Sequence, residues 1–408
     1  MDSFKNKKVT IGLVLPYLNS RGPDRQALNL AKSFVAKGAK VVLFVVQGWG
    51  LDSMYQAFKE VGVTVVNMRN SNVIKGKVIK TSSFLPLAIL ARKYGCDVLL
   101  SRAGRTNRIC GLAGLMTFIP TILVLVIAFP HLRSARQLNE SCFKRLIYSF
   151  RFLKKYAFFR QTIFKLHFMK NFGMPRFVVS VSRETLDNFA ASYPFMSNRI
   201  ITIPNGVEIS VEELNTENHV DLDRQKFNIC FSGSMEMARK GIDLLLEALR
   251  LLIFEFGRRN VYLTLIGTGK DEAKIKALVQ EYGLIDNVMF AGEQRNPYPI
   301  IKQCDVFVLP SRWEGLPNAL LEAMSLGVCC IAADCNTGPR EIIENDYDGI
   351  LVPVDDSRAL AHAIANMESE PCRRKELADN GLKTVIDKFS YQKMADAYYE
   401  LIMRIVQC

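Results

Sequence analysis

Short apolar runs alternate with amphipathic stretches along nearly the whole chain, and this alternation limits the fold more than any other feature. A brief run of Val, Ile, Leu and Phe with no polar face suits a strand covered on both sides. Such strands belong to parallel sheets flanked by helices. In the first half the runs predict strands at Val9–Leu15, Val41–Val46, Thr64–Met68, Val98–Ser101, Thr121–Ile127 and Phe177–Val181. A helix over Asp24–Ala36 links the first two and stops at Gly38. The second half repeats the scheme, with strands at Phe227–Ser232, Tyr262–Ile266, Val288–Ala291, Val306–Leu309, Val328–Ala332 and Ile350–Val352. Helices are predicted at Ile242–Phe254, Asp271–Tyr282, Asn318–Ser325 and Ser357–Met367. The polar stretch Glu208–Gln225 reads as a linker. The expected fold class is therefore α/β: two doubly wound domains, with ligands at the carboxyl ends of the strands and facing a cleft between the domains.

Apolar residues make up 49% of the 408 positions and charged residues 23%, enough apolar side chain to offset chain entropy, so disorder is excluded as the main state. The longest apolar run, Phe118–Phe129, is broken by Pro120 and closed by Pro130. A spanning helix needs about 20 apolar residues. Lys5, Lys7 and Lys8 ahead of an apolar stretch imitate a signal peptide, but that stretch is short, ends at Pro16-Tyr17 and lacks a small-residue cleavage site. The ten cysteines include no Cys-x-x-Cys and fall mostly in apolar runs, which predicts reduced core thiols in a cytoplasmic protein. His131, His167, His219 and His362 are scattered without ligand spacing, so no zinc site is expected.

The net charge of +13 is unevenly spread. Residues 1–200 hold 31 Lys+Arg against 8 Asp+Glu, a balance of +23, and residues 201–408 hold 22 against 32, a balance of −10. A strongly basic half calls for an anionic substrate, an anionic membrane or nucleic acid. Within it, Cys142–Phe172 carries eight Lys+Arg, no acid and ten Phe+Tyr. That composition reads as a helical membrane-interface element, with Arg151, Lys154 and Lys155 among the residues that would meet anionic head groups. The bland alternative is a pair of ordinary helices with aromatics inside and basic residues in water.

The segment with most chemical content is Pro310-Ser311-Arg312-Trp313-Glu314-Gly315-Leu316-Pro317-Asn318-Ala319-Leu320-Leu321-Glu322-Ala323-Met324. A strand ends, a loop carries Glu314, and a helix begins near Pro317, a residue at home in a first helical turn. The free N–H groups there form an anion site suited to phosphate. Two carboxylates beside such a site suit a hydroxyl-rich ligand, because ionised carboxylates accept bonds from sugar hydroxyls. Two other motifs fail on inspection. Gly267-Thr268-Gly269-Lys270 is followed by Asp271 and so lacks P-loop spacing. Asp221-Leu222-Asp223 lies in the linker, where plain linker charge explains it.

This segment, with the later Gly338-Pro339-Arg340-Glu341-Ile342 and Asp348-Gly349-Ile350-Leu351-Val352, resembles the retaining glycosyltransferases of family 4, which have two facing Rossmann-like domains in the GT-B architecture. The two glutamates with seven residues between them, Glu314 and Glu322, match that family's signature pair. Thr202–Val207 resembles its interdomain turn, Ser182-Arg183 its step after a strand, and Leu265–Gly269 its strand and Gly-rich turn. Arg21–Arg25 stands where the family often has two glycines, a variable residue and Glu, which makes Gly22 an implied donor contact. The resemblance implies an acceptor-binding domain over 1–203 and a nucleotide-sugar-binding domain over 204–389, with a C-terminal helix at about 390–408 packing back on the first. It also implies that Lys240 faces the donor diphosphate. Where the family carries an Arg as second cation this chain has Ser234, and Arg239 stands near to replace it. Gly315, Leu316, Pro317, Asn318 and Glu322 complete the implied donor contacts, and His131 sits where a His adjoins the donor sugar. Glu314, His131 and Lys240 are thus the implied catalytic residues. Arg133 and Arg136 follow and would touch an anionic acceptor.

The resemblance implies transfer of a sugar from a UDP-linked donor to a hydroxyl of a lipid-linked glycan or lipopolysaccharide. It implies no metal and no cofactor, with the enzyme peripheral on the inner face of the cell membrane. Two alternatives stand beside it: a nucleotide-sugar 2-epimerase of the same architecture, and a basic nucleic-acid-binding protein, for which no recognition motif is present.

Overall fold

The computed structural model describes residues 8–18, 22–47, 52–68, 83–102, 104–125, 168–169, 172–208, 214 and 220–407. The chain forms two compact units, one of Met1–Pro204 with Met394–Cys408 and one of Asn205–Lys393.

The first unit is a seven-stranded parallel sheet. Its strands are β1 (Thr10–Leu15), β2 (Lys40–Val45), β3 (Thr64–Asn67), β4 (Val98–Ser101), β5 (Thr121–Leu125), β6 (Phe177–Ser180) and β7 (Ile200–Thr202), in the order β3-β2-β1-β4-β5-β6-β7. Every residue of β1, β4 and β5 is buried, as continuous apolar runs require when helices cover both faces. Helices Phe84–Lys93 and Gly104–Thr117 place Leu87, Leu90, Ile109 and Ala113 in a core cluster with Phe44 and Leu99. Ser182 caps the helix Arg183–Ser192 by accepting a bond from the Thr185 amide, so the step after β6 is a helix start. Sequence periodicity gave no sign of β7, whose three residues are too few to show a pattern. The helix Gly22–Ala36 begins two residues before the predicted Asp24. The C-terminal helix Tyr391–Val406 joins this unit from Met394 onward, where Asp396 pairs with Lys37 at 2.7 Å and the Tyr399 hydroxyl donates to the Lys37 carbonyl at 3.4 Å.

The second unit is a six-stranded parallel sheet of β8 (Phe227–Ser232), β9 (Val261–Ile266), β10 (Val288–Gly292), β11 (Val306–Leu309), β12 (Cys329–Ala333) and β13 (Ile350–Val352), ordered β10-β9-β8-β11-β12-β13. The helix predicted as Ile242–Phe254 is regular only over Ile242–Arg250 and then widens into a π turn over Leu251–Glu255. A long helix, Pro371–Lys388, was not expected. Its buried stripe of Leu377, Ala378, Gly381, Thr384 and Val385 contains small and hydroxyl-bearing residues, so its apolar periodicity is faint. Both units are Rossmann-like, and the fold class is the expected α/β type with two such domains. No helix among the described residues is long and apolar enough to cross a membrane.

Cys96, Cys110, Cys230, Cys304, Cys329, Cys330 and Cys335 are buried free thiols. Cys372 departs from the expected core placement: it is exposed at the start of the helix Pro371–Lys388. Burial pushes the thiols of Cys96, Cys329 and Cys335 up to about 12. The thiolate is the reactive form. At pH 8 iodoacetamide should therefore label Cys372 in the native protein and spare these seven until denaturant is added, which peptide mass spectrometry reads directly. Equal labelling of Cys372 and Cys330 before unfolding would contradict this burial.

Candidate active site

The order of the second sheet makes β8 and β11 neighbours, while β9 lies on the other side of β8. The chain thus switches direction between β8 and β11, and the carboxyl ends of that pair are where a doubly wound sheet opens a crevice. Two loops meet there. One runs from Gly233 to Gly241 through the single helical turn Met237–Lys240, and the other runs from Pro310 to Pro317.

Close backbone approach fixes their relative position. Gly241 has φ +64, and a Cβ there would lie 2.1 Å from the Pro310 carbonyl oxygen, so only glycine permits this contact. The Arg312 amide donates to the Arg239 carbonyl at 2.9 Å. The Arg312 side chain then ties four parts of the unit together. Its Nη1 and Nη2 donate to both Asp243 oxygens at 3.0 and 2.7 Å, Nη1 also to the Met237 carbonyl at 3.1 Å, and Nε to Asp355 at 2.6 Å. The bonds to Asp243 hold its guanidinium even more firmly protonated than usual. Nothing local marks this role, because an isolated Arg in a loop looks the same whether it faces water or two distant carboxylates.

Glu314 lies at the centre and is only 7% exposed. Lys240 Nζ is 2.5 Å from its Oε1, and the Ser311 hydroxyl donates to the same oxygen at 2.8 Å. Arg239 Nη1 stands 3.6 Å from Oε2. The Thr337 hydroxyl donates to the Glu314 carbonyl. Lys240 is itself buried, so the pair is shielded from water on both sides.

Arg239 is held from three directions. Its Nη2 donates to Ser234 Oγ at 2.9 Å, its Nε donates to Glu236 at 3.0 Å, and Nη1 faces Glu314. Lys270 binds the other Glu236 oxygen at 2.7 Å. The Lys270 and Arg239 hydrogen bonds hold the Glu236 carboxyl below its ordinary range, so Glu236 stays ionised at neutral pH. The guanidinium therefore rests against Ser234, the position where the resembled family has its own Arg.

The helix Asn318–Ser325 starts beside these groups. Pro317 is its extended N-cap and not part of its first turn, a small correction to the sequence reading. Asn205 donates to Asn318 Oδ1 at 2.8 Å and to the Leu316 carbonyl at 3.4 Å, which pins the helix start. Gly338, at φ +86, lets the loop after β12 press on Gly315 and Pro317, where a Cβ would come within 2.3 and 2.8 Å. Glu322 lies one turn into the helix, and the Tyr298 hydroxyl donates to it at 3.4 Å. Lys240, Arg239, Ser234, Glu314, Gly315, Leu316, Pro317, Asn318 and Glu322 thus all belong to these two loops and the helix that follows. Gly22 begins the helix after β1 in the other unit. His131, Arg133, Arg136, Arg151, Lys154 and Lys155, with most of Cys142–Phe172, lie outside the described residues. Asp221 and Asp223 precede β8, where Asp223 accepts the Gln225 amide at 2.9 Å.

Two cations, a helix start and two carboxylates thus gather at the switch point of a Rossmann-like sheet, a set of groups chemically suited to phosphate and hydroxyl partners. Residues 215–384 match the family "Glycosyl transferases group 1", and residues 20–211 match "Glycosyltransferase Family 4". The chain belongs to this glycosyltransferase family. The "Lipopolysaccharide core biosynthesis glycosyltransferase LpsE" of Rhizobium meliloti is 30% identical over 189 residues, which are 45% of this chain and 54% of that protein, so the chain spans about half the length of this relative. The "N,N'-diacetylbacillosaminyl-diphospho-undecaprenol alpha-1,3-N-acetylgalactosaminyltransferase" of Campylobacter jejuni is 23% identical across 87% of this chain and 90% of its own length. Among solved structures, Anabaena Alr3699/HepE in complex with UDP and glucose has a TM-score of 0.74 at 15% identity, covering 97% of this chain and all (100%) of that one, a likeness of fold.

Removing one member of a buried ion pair leaves the other charge uncompensated, at a cost of about 3–5 kcal/mol in full burial. Ser311 and Arg239 still contact Glu314 here, so Lys240→Met should destabilise the unliganded protein by about 2–3 kcal/mol in urea unfolding. Glu314→Gln should cost a similar amount. The double variant should cost clearly less than the sum, because the two residues act as one unit. Additive losses would show that the pair is not coupled.

Proposed function

We propose that this protein is a retaining glycosyltransferase. It moves a sugar from a nucleotide-sugar, UDP-linked, to a hydroxyl of a lipid-linked glycan or lipopolysaccharide, and it works without a metal. The observation that carries this reading is the convergence of Lys240 and Arg239 on Glu314 beside the start of the helix that holds Glu322. The activities named for LpsE and for the Campylobacter relative support the acceptor class, and the UDP in the Anabaena structure supports the nucleotide.

In this reading Lys240 and Arg239 receive the donor diphosphate together with the amides at the start of Asn318–Ser325. Glu322 accepts from the ribose hydroxyls, and Glu314 from hydroxyls of the transferred sugar. Cations already fixed where charge grows on the leaving group lower the barrier without rearrangement. The bond between the sugar's C1 and the β-phosphate oxygen breaks. The acceptor oxygen attacks C1 from the same face, and the departing phosphate oxygen takes its proton, so configuration is kept. His131 would adjoin the sugar, and Arg133 and Arg136 an anionic acceptor. With the diphosphate charge met by Lys240 and Arg239, a divalent ion has no required place. The enzyme would act at the cytoplasmic face of the cell membrane, and the basic first half would serve this anionic surface and not nucleic acid.

The test is a panel of nucleotide-sugars in a thermal-shift assay, followed by turnover on a lipid-linked acceptor. A UDP-sugar should raise Tm, since a ligand of the native state stabilises it. Lys240→Ala and Glu322→Gln should each weaken donor binding about tenfold or more, a loss of roughly 1.5–3 kcal/mol per charged contact. Glu314→Gln should chiefly lower kcat. Activity should survive EDTA. Conversion of a nucleotide-sugar with no acceptor present would favour the epimerase, and wild-type affinity in both binding variants would overturn the donor assignment.

A further inference from the structure

All strands of the first sheet are parallel, so the segments that enter them share one edge, opposite the carboxyl ends. At β5, β6 and β7 that edge is both apolar and basic. The helix Gly104–Thr117 ends through Leu115 and Met116, which are 42% and 47% exposed. The chain enters β5 through Phe118 and β6 through Met174, which are 88% and 48% exposed. An open groove of about 460 Å³ runs between Leu115, Phe118, Met174 and Ile405, and Arg176 and Arg199 also line it. Arg92 adds a third guanidinium close by, donating to the Thr117 carbonyl at 3.3 Å. Lys8 and Lys40, both exposed, stand at the same edge where β1 and β2 begin.

Phe118 is the unusual residue. Its φ of +58 lies in the left-handed region that glycine and asparagine enter easily and an aromatic residue avoids. Folding alone gives no reason to place a phenylalanine in a strained turn and point it at water. An apolar surface for the ring does.

We propose that this amino edge is the face by which the protein lies on an anionic phospholipid bilayer. The proposal rests on the membrane-linked function above and supplies a contact surface that function did not assign. Phe118, Met174, Leu115 and Met116 enter the boundary of head groups and acyl chains, and Arg92, Arg176 and Arg199 meet lipid phosphates. Charge complementarity selects a bilayer as the occupant: apolar tips framed by guanidinium groups match a layer that is hydrocarbon below and phosphate above.

The experiment is sedimentation of the full chain with phosphatidylglycerol–phosphatidylcholine vesicles at low salt, against pure phosphatidylcholine. Wild type should bind the anionic vesicles. Arg176→Gln with Arg199→Gln should lower partitioning about thirtyfold, from roughly 1 kcal/mol per basic residue at such a surface. Phe118→Asn should lower it about fivefold while leaving Tm equal or higher, since Asn tolerates positive φ. Neither variant should change the donor-induced Tm shift. If both variants bind like wild type while Arg151→Glu, Lys154→Glu and Lys155→Glu together release the protein, the edge proposal falls and the membrane reading stands. If wild type ignores anionic vesicles, both fall. If Phe118→Asn instead turns a dimer into a monomer in light scattering and leaves vesicle binding unchanged, the edge joins copies of the chain and the proposal is overturned.

Discussion

A carboxylate removed from water must be given its counter-charges in place, and Glu314 is such a carboxylate. Lys240, Arg239 and Ser311 all face it at distances from 2.5 to 3.6 Å. Much of the local architecture of the second unit follows from that requirement. β8 must adjoin β11 so that a lysine 74 residues away can arrive. Gly241 must be glycine so that the loops can close. Arg312 must hold both loops to Asp243 and Asp355, because a pair of opposite charges gains little if either partner can swing into solvent.

The same pair is suited to ligand binding. In the proposed reaction a diphosphate enters a site whose cations are already desolvated, positioned and balanced by a carboxylate. The energetic cost of assembling them was met during folding and is not charged again at each turnover. Glu236 extends this logic outward. Kept ionised by Lys270 and Arg239, it fixes the guanidinium beside Ser234 without competing for the centre of the site. A serine in a position where an arginine would otherwise reach inward leaves room for Arg239 to approach from the following turn.

The two units divide the electrostatic labour. The acid-rich second half sets several of its basic groups in specific pairs, as at Lys240, Arg239 and Arg312. The first half has a large cationic excess, part of it presented along one edge of its sheet together with exposed apolar side chains. Specific pairing suits recognition of one small anion, and a broad cationic edge suits a surface of many anions.

The α/β class, most strands and the placement of Glu314 in a loop with Glu322 one turn into a helix were legible from the chain, because they depend on periodicity and on residues close in sequence. The motif Pro310–Met324 even carries its own anion-binding geometry, since strand, turn and helix start are contiguous. Where the local signal was thin, the reading fell short. β7 is three residues long, the helix Pro371–Lys388 buries a stripe that includes Gly381 and Thr384, and the π turn at Leu251–Glu255 leaves no mark on apolar spacing. Long-range partners lay wholly beyond it. Arg312 with Asp243 and Asp355, Asn205 with Asn318, Tyr298 with Glu322 and Thr337 with the Glu314 carbonyl are joined only by strand order and loop closure. Residue type and local spacing settled which positions could carry charge and roughly where each loop would fall. Which charges meet was left to the folded unit, because that choice depends on which strands are neighbours, and adjacency in a sheet is set by packing of the whole unit and not by any single segment.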